Sequence, residues 1–182
     1  MPVRSPWKAL AVGGAVLGGI GILALATRHK MGVIMQPKRV ALIGDSYAVG
    51  LGPELEKLLP GLRGEGHVGT NSSQWASHSA ACGQCGDWLT AFKPDVVLVS
   101  LGVNDGATPN KANYQTIVSS LHGIGAKVIW IEPPAAVNTP SRAIIRSLGV
   151  PTVPGTTVPM ASDGLHPASY GPWSQEVASR LA

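Results

Sequence analysis

The sequence predicts an open α/β domain over residues 40–182, built on a parallel sheet of about five strands with helices on both faces. Three observations carry that expectation. The runs VALI at 40–43, DVVLVSL at 95–101 and KVIWI at 127–131 are apolar almost throughout, as strands buried on both faces must be. Segments with helical spacing of apolar residues lie between them. Gly and Pro punctuate the junctions, as at Pro60-Gly61 and Pro133-Pro134.

Taken in order, the run at 40–43 ends at Gly44 and is the first strand. Leu55, Leu58 and Leu59 share one side of a helix over 52–59, which Pro60-Gly61 stops. A short second strand is expected over 64–68 and a helix over 86–92, closed by Lys93-Pro94. The run at 95–101 is the clearest buried strand. A helix over 111–123 follows, then the strand at 127–131, which Pro133-Pro134 ends because proline cannot continue a central strand. A helix over 141–148, a last short strand over 150–153 and a closing helix over 168–181 complete the pattern.

The chain has 182 residues, enough for one domain with a real core, and 45% hydrophobic against 13% charged residues argues against disorder. The formal charge of +4 is concentrated at the N-terminus: Arg4, Lys8, Arg28 and Lys30 lie in residues 1–30 with no acid among them. The remaining ten basic residues balance ten acidic ones, so the body has no basic excess to attract nucleic acid. Between those basic residues, positions 9–26 carry no charge and are just long enough to cross a bilayer as a helix. Five glycines there suit a membrane helix better than a soluble one. Residues 1–30 are therefore expected to be a membrane anchor or a cleavable signal segment, with a linker over 31–39. Either places the domain at or beyond a membrane.

Cys82 and Cys85 are the only cysteines. A zinc site would need two further ligands and only His78 is near, while a redox pair lacks the strand context of thioredoxin. A short local disulfide is the favoured reading, in keeping with an oxidising compartment.

Open α/β sheets bind ligands at the carboxyl ends of their strands, so the residues after each apolar run are the place to look for chemistry. Gly44-Asp45-Ser46 follows the first run, Gly69-Thr70-Asn71 the second and Gly102-Val103-Asn104-Asp105 the third. Asp163-Gly164-Leu165-His166 precedes the last helix. Together these are the parts of an acyl-transfer site. Ser46 is a weak nucleophile unless a base takes its proton, and His166 is suited to that task. Asp163 can hold the imidazole tautomer and stabilise the imidazolium. The Ser46 and Gly69 amides and the Asn104 side chain are candidate oxyanion donors.

These four blocks, in this order, resemble the SGNH (GDSL) hydrolase family, from Gly44-Asp45-Ser46 through Gly69 and Gly102-x-Asn104-Asp105 to Asp163-x-x-His166. Pro167 and Tyr170-Gly171 are also familiar in it. The resemblance covers nearly all of residues 40–182. It implies a three-layer α/β/α fold with a flavodoxin-like parallel sheet and a carboxylester hydrolase acting through an acyl-enzyme. Permitted substrates are acetyl groups on carbohydrate, short acyl esters, thioesters and lysophospholipids. Small size and an envelope location favour O-acetyl groups on envelope polysaccharide or peptidoglycan, in a bacterium or, with virion association, a phage. No metal or nucleotide cofactor is implied. One departure stands out: Tyr47 follows Ser46 where the family has leucine.

Each block also has an ordinary reading. Ser46 could be a turn serine, Asp45 a helix cap, Asn104-Asp105 a turn and His166 a packing residue. Four such coincidences at one sheet edge are required together, which favours catalysis. Tyr47 and Trp75 are the candidate substrate-contacting residues, Trp75 through stacking on a sugar ring. Trp130 and Trp173 are read as core. His29, His67, His78 and His122 are read as surface or packing residues, and Glu132 could line the site. Two rivals remain beside the esterase: a binding or structural module retaining the fold, and an acyltransferase.

Overall fold

Val40–Gly44 forms strand β1, in which every residue is buried. The computed structural model describes residues 39–78 and 85–181. The expected anchor or signal over 1–30, the linker other than Arg39, His29 and Cys82 lie outside them. β1 is followed by α1 (Ser46–Leu58), β2 (Arg63–Gly66), α2 (Ser72–Ala76) and α3 (Trp88–Phe92). Then come β3 (Val96–Ser100), α4 (Lys111–Gly123), β4 (Lys127–Ile131), α5 (Ser141–Arg146), β5 (Thr152–Val153) and α6 (Gly171–Ser179).

The five strands are parallel throughout, in the order β2-β1-β3-β4-β5. Alternate residues of the buried strands feed two separate cores, as the twofold period of a strand requires. Ala41, Ile43, Val97, Val99 and Val128 face one core, together with Leu89, Tyr114, Ile117 and Ile145 from α3, α4 and α5. Val40, Leu42, Leu98, Ile129 and Ile131 face the other, with Leu51 and Leu55 of α1 and Trp173 and Val177 of α6. This is the three-layer arrangement that the apolar runs predict. Trp130 and Trp173 are both 0% exposed, in agreement with their reading as core. Among the described residues no helix is long and apolar enough to cross a membrane.

Two elements differ most from the sequence reading, and the bounds of the others shift by at most three residues. α1 begins at Ser46 rather than near residue 52, despite Gly50, Gly52 and an internal Pro53. Its start is fixed by Asp45, whose carboxylate caps the helix, and by burial of Tyr47, Ala48, Leu51 and Leu55; packing outweighs low helix propensity here. α2 is additional: the Asn71 side chain accepts from the Gln74 amide while Gln74 Oε1 accepts from the Asn71 amide, a complete capping box.

The order of strands places a topological switch at β1. The chain leaves it for β2 on one side and returns to β3 on the other, opening a crevice beyond their carboxyl ends. Register pairs Gly44 with both Gly66 and Ser100, so the three strands end level at that crevice.

Candidate active site

The nucleophile candidate follows a glycine that leaves no room for a side chain against the neighbouring strand β3. A Cβ on Gly44 would lie 2.0 Å from the Ser100 carbonyl oxygen, so only glycine fits. The next amide, of Asp45, donates to that same carbonyl at 3.0 Å. Asp45 is fully buried, and its Oδ1 accepts from the Tyr47 amide at 3.0 Å, which makes it the cap of α1. Burial pushes its carboxyl up to about 7, a rise that the Asp105 charge adds to and the Tyr47 amide opposes. Ser46 is thereby fixed as the first helical residue, partly exposed at the end of β1.

His166 reaches Ser46 from a strap that is folded on itself. The Ala161 amide donates to the His166 carbonyl at 2.7 Å, and that of Gly164 donates to Ala161 at 3.0 Å. Inside this turn Asp163 Oδ1 accepts from the Leu165 and His166 amides, each at 2.9 Å. Its Oδ2 accepts from His166 Nδ1 at 2.7 Å, and His166 Nε2 lies 2.9 Å from Ser46 Oγ. The imidazole bond, followed by the two amides, lowers the Asp163 carboxyl to about 2. An ionised carboxylate can only accept, so Nδ1 carries a proton, and in the neutral imidazole Nε2 then has its lone pair facing the Ser46 hydroxyl. That is the arrangement a general base needs.

The third group is the turn at Gly69. Gly69 has φ +77°, in the left-handed region that glycine takes without strain. Around it the His67 amide donates to the Gly44 carbonyl at 3.0 Å, and the Thr70 hydroxyl donates to the His67 carbonyl at 2.8 Å. Asn104 Nδ2 then donates to the Thr70 carbonyl at 2.9 Å, which brings the Asn104 side chain onto the Gly69-Thr70 turn. Asp105 anchors the same loop by accepting from the Ser72 amide and hydroxyl and from the Tyr114 hydroxyl at 2.7 Å. The structure thus joins the Ser46, Gly69 and Asn104 segments at one sheet edge, with His166 on Ser46.

Three sequence expectations are corrected. Trp75 does not face a substrate: it is 3% exposed, and its Nε1 donates to Thr70 Oγ1 from behind the Gly69 turn. α2 turns the ring inward because its other faces carry polar Ser73, Gln74 and Ser77. Tyr47 is also no substrate contact, being 1% exposed beneath the His166 strap. Glu132 does not line the site; it is buried and accepts from Arg146 Nε and Nη2, both at 2.8 Å. Thr70, Ser72 and Tyr114 were missed by the sequence reading, although the Asn71-x-x-Gln74 capping signature marks where Ser72 must sit.

Among the histidines read as surface or packing residues, His67 Nε2 lies 2.7 Å from Glu65 Oε1. Glu65 and His67 approach Cys85 as a metal site would, but their atoms are engaged otherwise. Glu65 Oε2 accepts from the Gly86 amide and from Trp88 Nε1, and Cys85 is disulfide-bonded.

A cleft of about 420 Å³ opens between the residues flanking Asn104 and His166. Val103, Ala107 and Leu165 line it with Val137, Asn138 and Thr139 of the β4–α5 loop. That wall is pinned from behind, where Arg142 Nη2 donates to the carbonyls of Pro134 at 2.8 Å and Val137 at 2.9 Å.

The sequence matches no family model and no curated relative, so the likeness to known proteins is one of structure. An acetyl xylan esterase, AlAXEase, superposes with a TM-score of 0.58 over 79% of this chain and 100% of that one, at 16% identity. TesA superposes with a TM-score of 0.58 over 78% of this chain and 97% of its own, at 22% identity. The chain has the SGNH hydrolase fold. The C-terminal catalytic domain of peptidoglycan O-acetyltransferase A from Streptococcus pneumoniae shares it, with a TM-score of 0.52 over 79% of this chain and 90% of that one, at 18% identity.

Proposed function

We propose that residues 40–182 are a serine carboxylester hydrolase acting through Ser46, His166 and Asp163. The observation that carries the reading is the continuous relay from Ser46 Oγ to His166 Nε2 and from His166 Nδ1 to the ionised Asp163. Ser46 Oγ attacks the ester carbonyl as its proton passes to Nε2. The oxyanion is met by the Ser46 and Gly69 amides and the Asn104 side chain. When the tetrahedral adduct collapses, His166 returns the proton to the departing alcohol and leaves an acyl group on Ser46. Water, deprotonated by His166, then releases the carboxylic acid and restores the serine. Asp163 stays ionised throughout and stabilises the imidazolium.

The proposed substrate is an O-acetyl group on cell-envelope carbohydrate, or another short-acyl ester. The cleft supports this: its lining side chains are uncharged and mix apolar Val103 and Leu165 with polar Asn138 and Thr139. The fold is shared with acetyl xylan esterases and with the catalytic domain of a peptidoglycan O-acetyltransferase. The envelope location rests on the apolar, base-flanked residues 9–26, and sequencing the N-terminus of the mature protein tests it.

A fluorophosphonate probe tests the chemistry: wild type is labelled covalently and Ser46→Ala is not. A folded wild type that resists labelling favours a non-catalytic binding module. A panel of esters from acetyl to long-chain acyl ranks the substrates. Product analysis with an added acceptor sugar separates hydrolysis from acyl transfer.

A further inference from the structure

Tyr47 stands where the resembling family has leucine, and its side chain spans the two halves of the candidate site. It lies next to Ser46 in the first turn of α1 and is almost wholly buried. Its hydroxyl donates to the Leu165 carbonyl at 2.9 Å, across 118 positions of sequence. Its ring meets the His166 ring edge-on at 5.7 Å between centroids, and meets Trp173 of α6 edge-on at 5.5 Å. Leu165 belongs to the turn whose amides hold Asp163, and it immediately precedes His166.

The strap has reason to need such a tie. Residues 162–164 are exposed, and among the described residues its other bonds, the His166–Ser46 contact apart, run within the strap or to neighbouring loop residues such as Pro159. A leucine could fill the space beside α1, but only a hydroxyl can donate to the Leu165 carbonyl, and a hydrogen bond is directional where packing is not. Because Ser46 and Tyr47 are consecutive helical residues, the bond references the position of the base to the nucleophile itself.

We propose that Tyr47 is a positioning residue: its hydroxyl on the Leu165 carbonyl and its ring against His166 hold imidazole Nε2 in line with Ser46 Oγ. This rests on the esterase reading above. Small displacements of reacting groups are costly, with about a 1 Å error able to lose roughly a hundredfold in rate. Tyr47→Phe keeps the ring and removes only the tie.

The test is a double-mutant cycle read on p-nitrophenyl acetate hydrolysis, with thermal melting as a check on folding. Tyr47→Phe is expected to lower kcat about tenfold with KM within about twofold. In a His166→Ala background, whose residual rate no longer uses the imidazole, the same change is expected to alter the rate by less than about twofold. Amide exchange at Leu165 and His166 is expected to quicken in Tyr47→Phe while that of β1 stays unchanged. Should Tyr47→Phe not fold, Tyr47→Leu carries the same three readouts. Unchanged kcat, or an equal loss in both backgrounds, overturns the inference while leaving the esterase reading intact. A folded wild type with neither turnover nor fluorophosphonate labelling overturns both.

Discussion

Asn104 Nδ2 donates to the Thr70 carbonyl at 2.9 Å, and that bond directs the second N–H of the same amide. With one hydrogen committed to the Gly69-Thr70 turn, the planar amide can offer the other to an oxyanion without reorganising. Asn104→Ala is expected to lower kcat by about 10²–10³ with a small change in KM, the usual loss for one oxyanion donor. Steady-state kinetics on a chromogenic acetyl ester measure it. A loss confined to KM would count against the oxyanion role proposed for Asn104.

Asp163 governs which imidazole nitrogen is bare. The amide of Asp163→Asn can donate to Nδ1 and so place the imidazole proton on Nε2, where it blocks the Ser46 hydroxyl. A fall in kcat of about 10³–10⁴ is expected, with a nearly unchanged melting temperature. The wild-type carboxyl is lowered from 3.8 to about 2, first by the His166 bond and then by two amides. Its contribution to stability is therefore complete above pH 3.8 and is lost as pH falls through about 2.

Asp45 behaves in the opposite sense. Its carboxyl is raised from 3.8 to about 7, chiefly by burial, so the unfolded chain releases this proton at lower pH than the folded one. Its contribution to stability is fullest below pH 3.8 and declines as pH rises through about 7. Asp45→Asn keeps an oxygen for the Tyr47 amide and removes the charge. Urea unfolding at pH 5 and pH 8 is expected to show the variant gaining on the wild type at the higher pH, by about a few kcal/mol. Parallel pH dependences in the two proteins would contradict this account of the cap.

Gly50 lies under Tyr170, where a Cβ would come within 2.2–2.5 Å of three ring atoms. Replacing a helical glycine by alanine ordinarily gains up to about 1 kcal/mol of propensity. Here overpacking against the stacked Tyr170 and Trp173 rings should outweigh that gain, for a net loss of about 1–3 kcal/mol. With Tyr170→Ala as background the sign is expected to reverse, and thermal or urea unfolding of the four proteins measures it.

The parallel sheet and most of its strands were legible because burial on both faces writes itself as continuous apolar runs such as DVVLVSL. The Asp163-x-x-His166 turn was legible because its bonds are local, closing within three residues. The same locality made Asp45 readable as a cap. The full extent of α1 was hidden by Gly50, Gly52 and Pro53, which argue against a helix until the sheet it packs on is present. Trp75 and Tyr47 were read as substrate contacts because a side chain's identity does not tell which way its element faces.

By itself, then, the sequence determined the residue types at each strand end and the parallel α/β class in which those ends share one edge. Only the tertiary structure decided that Ser46 and His166, 120 positions apart, meet at 2.9 Å and that Tyr47 lies beneath the strap joining them. The reason is physical: propensity and pattern act over a few residues, whereas burial and long-range bonds depend on what the rest of the chain brings to the other side.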